Sequence, residues 1–179
     1  MKNHDRVGLI IFSDTVEKFI PPKKGRLHVL RVIREILTFR PKGKKTDINA
    51  ALKTLNDVVT KRSTVFLFSD FLAENYEKLL KISHKKHDIV SLVVEDPTEK
   101  EFPALGGTIE LEDAETGETF TLRARRGFKD RFKKEWEKGS QARDKMFASV
   151  GMDHIELETG KPYIQSLIKF FKMRERRFR

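Results

Sequence analysis

The sequence predicts an α/β protein built on an open, mainly parallel, Rossmann-like sheet with helices on both faces. Three observations carry this expectation. Three short apolar runs, Val7 to Phe12, Thr64 to Phe68 and Ile89 to Val94, read as strands buried on both faces. Segments with apolar residues at helical spacing separate them, and strands that alternate with helices build parallel sheets. Proline, glycine and aspartate punctuate the junctions.

Val7-Gly8-Leu9-Ile10-Ile11-Phe12 is the first strand, and Ser13-Asp14-Thr15 reads as a turn. Val16 to Ile20 alternates and stops at Pro21-Pro22, which predicts an antiparallel edge hairpin. Leu27, Leu30, Ile33 and Leu37 predict an amphipathic helix over Arg26 to Phe39, ended by Pro41 and Gly43. Ile48, Ala51, Leu52, Leu55 and Val59 repeat the pattern after Thr46-Asp47. The second buried strand is followed by a short helix, Glu77 to Lys85. The third is stopped by Glu95-Asp96-Pro97.

The βα rhythm then breaks. Thr108 to Glu112 and Thr119 to Leu122 alternate around a turn at Thr116-Gly117, which predicts an inserted β-hairpin within about residues 104–125. A charged helix, Phe128 to Val150, carries Phe132, Trp136 and Met146-Phe147 on its apolar side and ends at Gly151. A strand at His154 to Leu157 and a terminal helix through Ile164, Leu167, Ile168 and Phe171 complete the chain. There is no internal repeat and no low-complexity linker, so residues 1–179 read as a single domain.

Composition narrows function. Charged residues make up 36% of the 179 positions and the net charge is +10. The lysines are interleaved with glutamates on helix faces, which reads as a solvated basic surface rather than a nucleic-acid partner. Zero cysteines exclude disulfides, thiolate metal sites and cysteine nucleophiles. No apolar run reaches the ~20 residues of a membrane span, and the segment before Val7 has no secretory core. A cytoplasmic location is expected, free or on the cytoplasmic face of the membrane in a longer parent. No P-loop and no Gly-x-Ser-x-Gly elbow occurs. His84 and His87 are spaced for one helix face, but no third zinc ligand is in view, and both are expected to face solvent.

Two short signals fall on the expected ligand edge of the sheet. Gly43-Lys44-Lys45-Thr46-Asp47 opens a helix, and Ser69-Asp70 closes a strand. Ligands of open α/β sheets collect at strand carboxyl ends, and Thr46 and Asp70 offer the oxygen atoms a hard cation such as Mg²⁺ accepts. Each also has a plain structural reading, Thr46 as a helix N-cap and Asp70 as a turn cap.

The order of pieces resembles a known family. Asp5 to Asp14, the hairpin to Pro21-Pro22, Gly25-Arg26, Lys44 to Leu52, Leu67 to Phe71 and Val93 to Pro97 together resemble the von Willebrand factor A-like domain of the bacterial DUF fifty-eight family. The resemblance implies a non-enzymatic protein-interaction module that works with a MoxR-type AAA+ ATPase, or its client, in protein assembly or maturation. It also implies a metal-ion-dependent adhesion site, with Thr46 in the place of its threonine, Asp70 in the place of its third-loop aspartate, and Asp47 as support. The Asp-x-Ser-x-Ser loop of such a site is absent from this sequence, and the strand that carries it would precede Val7. The chain is therefore expected to be the C-terminal portion of a longer protein. A divalent cation is expected in the full-length parent and no stable binding by this chain, with a gap or rearranged pairing in the sheet and self-association through an exposed edge. Two other readings stand beside this one: a metal-dependent phosphoesterase or nuclease using Asp14, Asp70 and Asp96, and a basic nucleic-acid binder.

Overall fold

A computed structural model describes residues 5–97, 107–112, 119–124 and 127–177. The elements run β1 (Val7–Phe12), β2 (Val16–Lys23), α1 (Arg26–Thr38), α2 (Ile48–Val58), β3 (Thr64–Ser69), α3 (Glu77–Lys86), β4 (Asp88–Glu95), β5 (Gly107–Glu112), β6 (Thr119–Ala124), α4 (Phe128–Ser149), β7 (Asp153–Glu158) and α5 (Ile164–Arg177). The mixed α/β class and the order of elements are those the sequence predicts. The turn expected at Thr116-Gly117 and the start and end of the expected 104–125 insertion lie outside the described residues. β5 and β6 form its antiparallel pair.

The chain divides into two compact units. One holds Met1–Thr60 and Ala73–Ser83, the other Lys61–Leu72 and His84–Arg179. In the first, β1 and β2 pair antiparallel. β2 continues through Pro21 and Pro22 to Lys23 rather than stopping at them. An edge strand tolerates this, because the missing proline N–H is not needed on its outer side. Pairing shifts between Val7 and Leu9, and a Cβ at Gly8 would lie 2.9 Å from the Ile20 carbonyl oxygen, so only glycine fits. α2 packs against this hairpin. Its buried residues Ile48, Ala51, Leu52 and Leu55 are those the periodicity predicts.

α1 also packs on β1, but by a different stripe than predicted. His28, Val32, Glu35 and Phe39 recur at spacings of four, three and four. His28 Nε2 lies 2.8 Å from the Val7 carbonyl oxygen, Glu35 meets Lys18 at 3.3 Å, and Val32 is buried. The expected core residues Leu27, Leu30, Ile33 and Leu37 are instead 84, 51, 46 and 78% exposed. Local polar contacts to β1 and β2 outweigh the apolar stripe in setting the helix's rotation.

The second unit is a parallel sheet in the order β3-β4-β7. β4 is buried on both faces, as predicted. Val90 and Leu92 meet Ile155 of β7 and Phe170 of α5, with Leu157 and Leu167 at the margin. Ile89, Ser91 and Val93 alternate with these along the strand and are fully buried. β3 departs from expectation. Phe66 and Phe68 are 42 and 58% exposed while Leu67 between them is buried, so β3 is covered on one face rather than two. Among the described residues β1 pairs with β2 alone and β3 with β4 alone.

α4 and α5 both pack on β7. Each sends one arginine to two acidic residues of the sheet. Arg174 of α5 meets Asp88 at 2.6 Å and Asp153 at 3.3 Å, near the start of β4 and β7. Arg143 of α4 meets Glu95 at 2.9 Å and Glu156 at 3.1 Å, towards their ends.

His87, expected at the surface, is fully buried, and neither ring nitrogen has a hydrogen-bond partner among the described residues. Burial first, and then the Lys86 charge, push its pKa below the usual 6.5. The unfolded chain therefore binds more protons than the folded one in acid. Stability is complete above about pH 6.5 and erodes as pH falls below it. His87→Leu removes two unsatisfied polar atoms, and is expected to raise stability by about 1 kcal/mol at pH 7 and to flatten the acid loss, read by urea denaturation across the pH range. Phe147 is fully buried against Phe71, at 5.2 Å between ring centroids. Phe147→Ala is expected to cost about 3–5 kcal/mol in the same assay.

Candidate functional site

The loop leading into α2 is fastened to the turn that follows β1. Asp47 donates its backbone N–H to the Ser13 carbonyl oxygen at 2.7 Å. Glu17 accepts the backbone N–H groups of Lys42 at 2.8 Å and Gly43 at 3.1 Å. Hydrogen bonds from the Ser13 hydroxyl and then the Lys42 amide hold the Glu17 carboxyl below the usual carboxylate range. Ser13 is buried, and its hydroxyl oxygen also lies 3.0 Å from Asp14 Oδ1. A side chain at Gly43 would collide with the Asp14 carboxylate and the Ser13 hydroxyl, so the close approach requires glycine. Thr46 and Asp47 are thereby brought beside the carboxyl end of β1.

Asp47, rather than Thr46, is the N-cap of α2. Its backbone is extended and its carboxylate accepts the Asn49 N–H at 2.8 Å. Thr46 stands one residue earlier. The cap position went to aspartate because a carboxylate also complements the positive end of the helix dipole.

The second loop follows β3. Asp70 Oδ1 accepts the Leu72 N–H at 3.1 Å and the Ser69 hydroxyl at 3.3 Å, and Ser69 Oγ accepts the Phe71 N–H at 3.0 Å. These contacts close a tight turn in which Phe71 adopts φ +61°. That region is uncommon for a bulky residue and costs of order 1 kcal/mol or more. Packing of the buried Phe71 ring edge-on to Phe147 holds it. Strain beside Asp70 is a feature that sequence reasoning missed.

Thr46 and Asp47 belong to the first unit and Asp70 to the second, and each is placed by its own local contacts. The first loop offers a hydroxyl and a carboxylate and the second a carboxylate, hard oxygen donors of the kind Mg²⁺ takes. Asp47 and Asp70 each have one carboxylate oxygen engaged by a backbone N–H. Mg²⁺ takes six oxygens in near-ideal octahedral geometry. Neither loop by itself supplies that number. Asp14 bonds Ser13, as a turn residue does. Asp96 Oδ2 accepts the Thr159 hydroxyl at 2.8 Å and ties the end of β4 to the end of β7.

Among the described residues one group of three has ligand atoms within 4.8 Å of one another, Asp144, His154 and Glu156. A guanidinium already neutralises it. Arg143 contacts Asp144 at 3.4 Å and Glu156 at 3.1 Å, and donates to Ser140 at 3.0 Å. Its third carboxylate partner is the buried Glu95. His154 Nε2 is 3.7 Å from Asp144, and its ring packs against Phe147. We read this as an ion network that joins α4 to the sheet. One signal for it lay in the sequence, since Arg143 falls on the same stripe as Phe132, Trp136 and Phe147.

Comparison with known proteins sets these features in a family. The chain is 29% identical over 162 residues to the uncharacterised protein MAV169 of Mycobacterium avium, an alignment covering 88% of this chain and 94% of that protein. It is 24% identical over 175 residues to the uncharacterised proteins Rv1480 of Mycobacterium tuberculosis and Mb1516 of Mycobacterium bovis. Those alignments cover 96% of this chain and 55% of each relative, so the chain spans about half their length. No solved structure matches it. The model of the family described as "protein of unknown function DUF58" matches residues 1–143, and the chain belongs to that family.

Proposed function

We propose, from its resemblance to the von Willebrand factor A-like type, that this chain is a non-enzymatic protein-interaction module whose strand-end residues Thr46 and Asp70 serve as oxygen ligands for a divalent cation in a longer parent. The observation that carries the reading is the fastening of Thr46 and Asp47 beside the carboxyl end of β1, with Asp70 at the carboxyl end of β3. Thr46 and Asp70 are the proposed ligands, and Asp47 supports the first loop through its cap. A cation held this way offers an open coordination position, which a carboxylate of a partner fills, so that recognition becomes divalent-dependent. No bond is made or broken. By its resemblance to the von Willebrand factor A-like type, the module is proposed to serve protein assembly or maturation with a MoxR-type AAA+ ATPase or its client, in the cytoplasm. No helix among the described residues is long and apolar enough to cross a membrane.

The donors present are too few to hold Mg²⁺ tightly without a further loop. Isothermal calorimetry on this chain is expected to detect no tight Mg²⁺ binding. Fusing a strand that ends in Asp-x-Ser-x-Ser ahead of Met1 is expected to raise affinity at least about tenfold, and Asp70→Asn is expected to remove the gain. Tight, Asp70-dependent binding by the unextended chain would contradict the reading.

Self-association through a sheet edge belongs to the same proposal. β2 and β7 are guarded by charges and prolines, whereas β3 reads Thr-Val-Phe-Leu-Phe-Ser and carries none. The phosphoesterase reading needs several carboxylates converging on one ion, and the group of three among the described residues contains none of Asp14, Asp70 or Asp96.

Removing the guanidinium of the α4 network tests its structural role. Arg143→Met takes the guanidinium away from the buried Glu95 carboxylate and is expected to destabilise the fold by about 3–5 kcal/mol in chemical denaturation. Arg143→Met together with Glu95→Leu is expected to recover most of that loss.

A further inference from the structure

Among the described residues, the outer side of α1 is an exposed apolar surface on a regular element. Leu27, Leu30, Ile33, Ile36 and Leu37 are 84, 51, 46, 56 and 78% exposed. Isolated exposed leucines need no explanation, but five on one short helix do. The helix is held to β1 and β2 by its opposite stripe, so the apolar side is presented by a fixed scaffold rather than by a frayed segment.

The spacing says what fits it. Arg26, Leu30, Ile33 and Leu37 follow intervals of four, three and four, the rhythm by which one helix seats its side chains against another. Arg26 stands at the start of this apolar seam, and Arg31 and Arg34 lie along one side of it. All three arginines are exposed. The acid of this helix, Glu35, is turned to Lys18 on the packed side.

We propose that this seam docks an amphipathic helix with glutamates or aspartates flanking an apolar stripe. The arginines select against a second copy of the chain. Pairing of two α1 helices would gather Arg26, Arg31 and Arg34 of both copies, and the acid of the helix, Glu35, is turned to Lys18. An anionic lipid surface shares the charge but has no use for the alternation of three and four, and a helix lying in a membrane surface carries cations on both sides of its apolar face, whereas Arg31 and Arg34 lie along one side only. The surface is separate from the loops of Thr46 and Asp70, and its docking is independent of any cation.

The test is fluorescence anisotropy with the whole chain and two labelled helical peptides of about 18 residues. Both carry leucines at alternating three and four spacing; one is flanked by glutamates and the other by lysines. The acidic peptide is expected to bind, equally well in EDTA and more weakly as salt rises. The basic peptide is expected not to bind. Leu30→Ser with Leu37→Ser is expected to weaken binding at least about tenfold with an unchanged thermal melt, since both side chains are exposed. Arg31→Glu with Arg34→Glu keeps the apolar contacts and is expected to switch preference to the basic peptide. Equal binding of both peptides, no binding of either, stronger binding to phosphatidylglycerol vesicles than to the acidic peptide, or a concentration-dependent dimer lost in the Leu30→Ser, Leu37→Ser protein would each overturn the proposal. Loss of binding in EDTA would overturn its independence from the cation.

Discussion

Side-chain oxygens that accept backbone N–H groups at the carboxyl ends of strands are the constraint on which the candidate site depends. A chain leaving a strand has lost its ladder partners, and its amides must be satisfied by something else. Here Glu17 takes two amides of the loop before α2, Asp47 caps that helix, and Ser69 and Asp70 take the two amides after β3. The cost is a phenylalanine in a left-handed conformation beside Asp70, which its buried ring offsets. Loops locked in this way hold their remaining oxygens at fixed positions, and fixed oxygens are what a hard cation requires.

Behind these loops stand two scaffolds of different character. The first unit buries an apolar helix face against a hairpin and fixes a second helix by polar contacts. The second surrounds a strand buried on both faces and clamps it through Arg174 at one end and Arg143 at the other. Each guanidinium is nearly buried between carboxylates. Such pairs contribute little net stability compared with apolar packing, but breaking one leaves a costly unpaired charge. They therefore specify how α4 and α5 dock on β7 more than they strengthen the docking.

The order of elements was legible because periodicity and turn residues report local structure. The buried faces of α2 and β4 were legible for the same reason. What a periodic pattern does not report is which neighbour an element meets. α1 has two stripes, and the one with a histidine and a glutamate won the packing because β1 offered a free carbonyl and β2 a lysine. β3 has the composition of a central strand and sits at an edge, since its neighbours are set by the whole sheet rather than by its own residues. His87 looked like a surface residue from its lysine neighbours and is buried. At the candidate site, Thr46, Asp47 and Asp70 were visible as residue types at loop junctions. The division between cap and ligand within Thr46-Asp47 was not, because both residues are good N-caps. The Arg143 network joins residues far apart in the chain, and only the helical stripe hinted at it.

Paramagnetic broadening by Mn²⁺, followed through the backbone amides of the ¹⁵N-labelled chain, tests the central claim most directly, because it registers even weakly held ions. Selective loss of the amide signals around Thr46-Asp47 and around Asp70 at the same sub-stoichiometric Mn²⁺, reversed by excess Mg²⁺, is the result the proposal predicts. Broadening confined to residues near Asp144, His154 and Glu156, or spread evenly over the acidic surface, would contradict it.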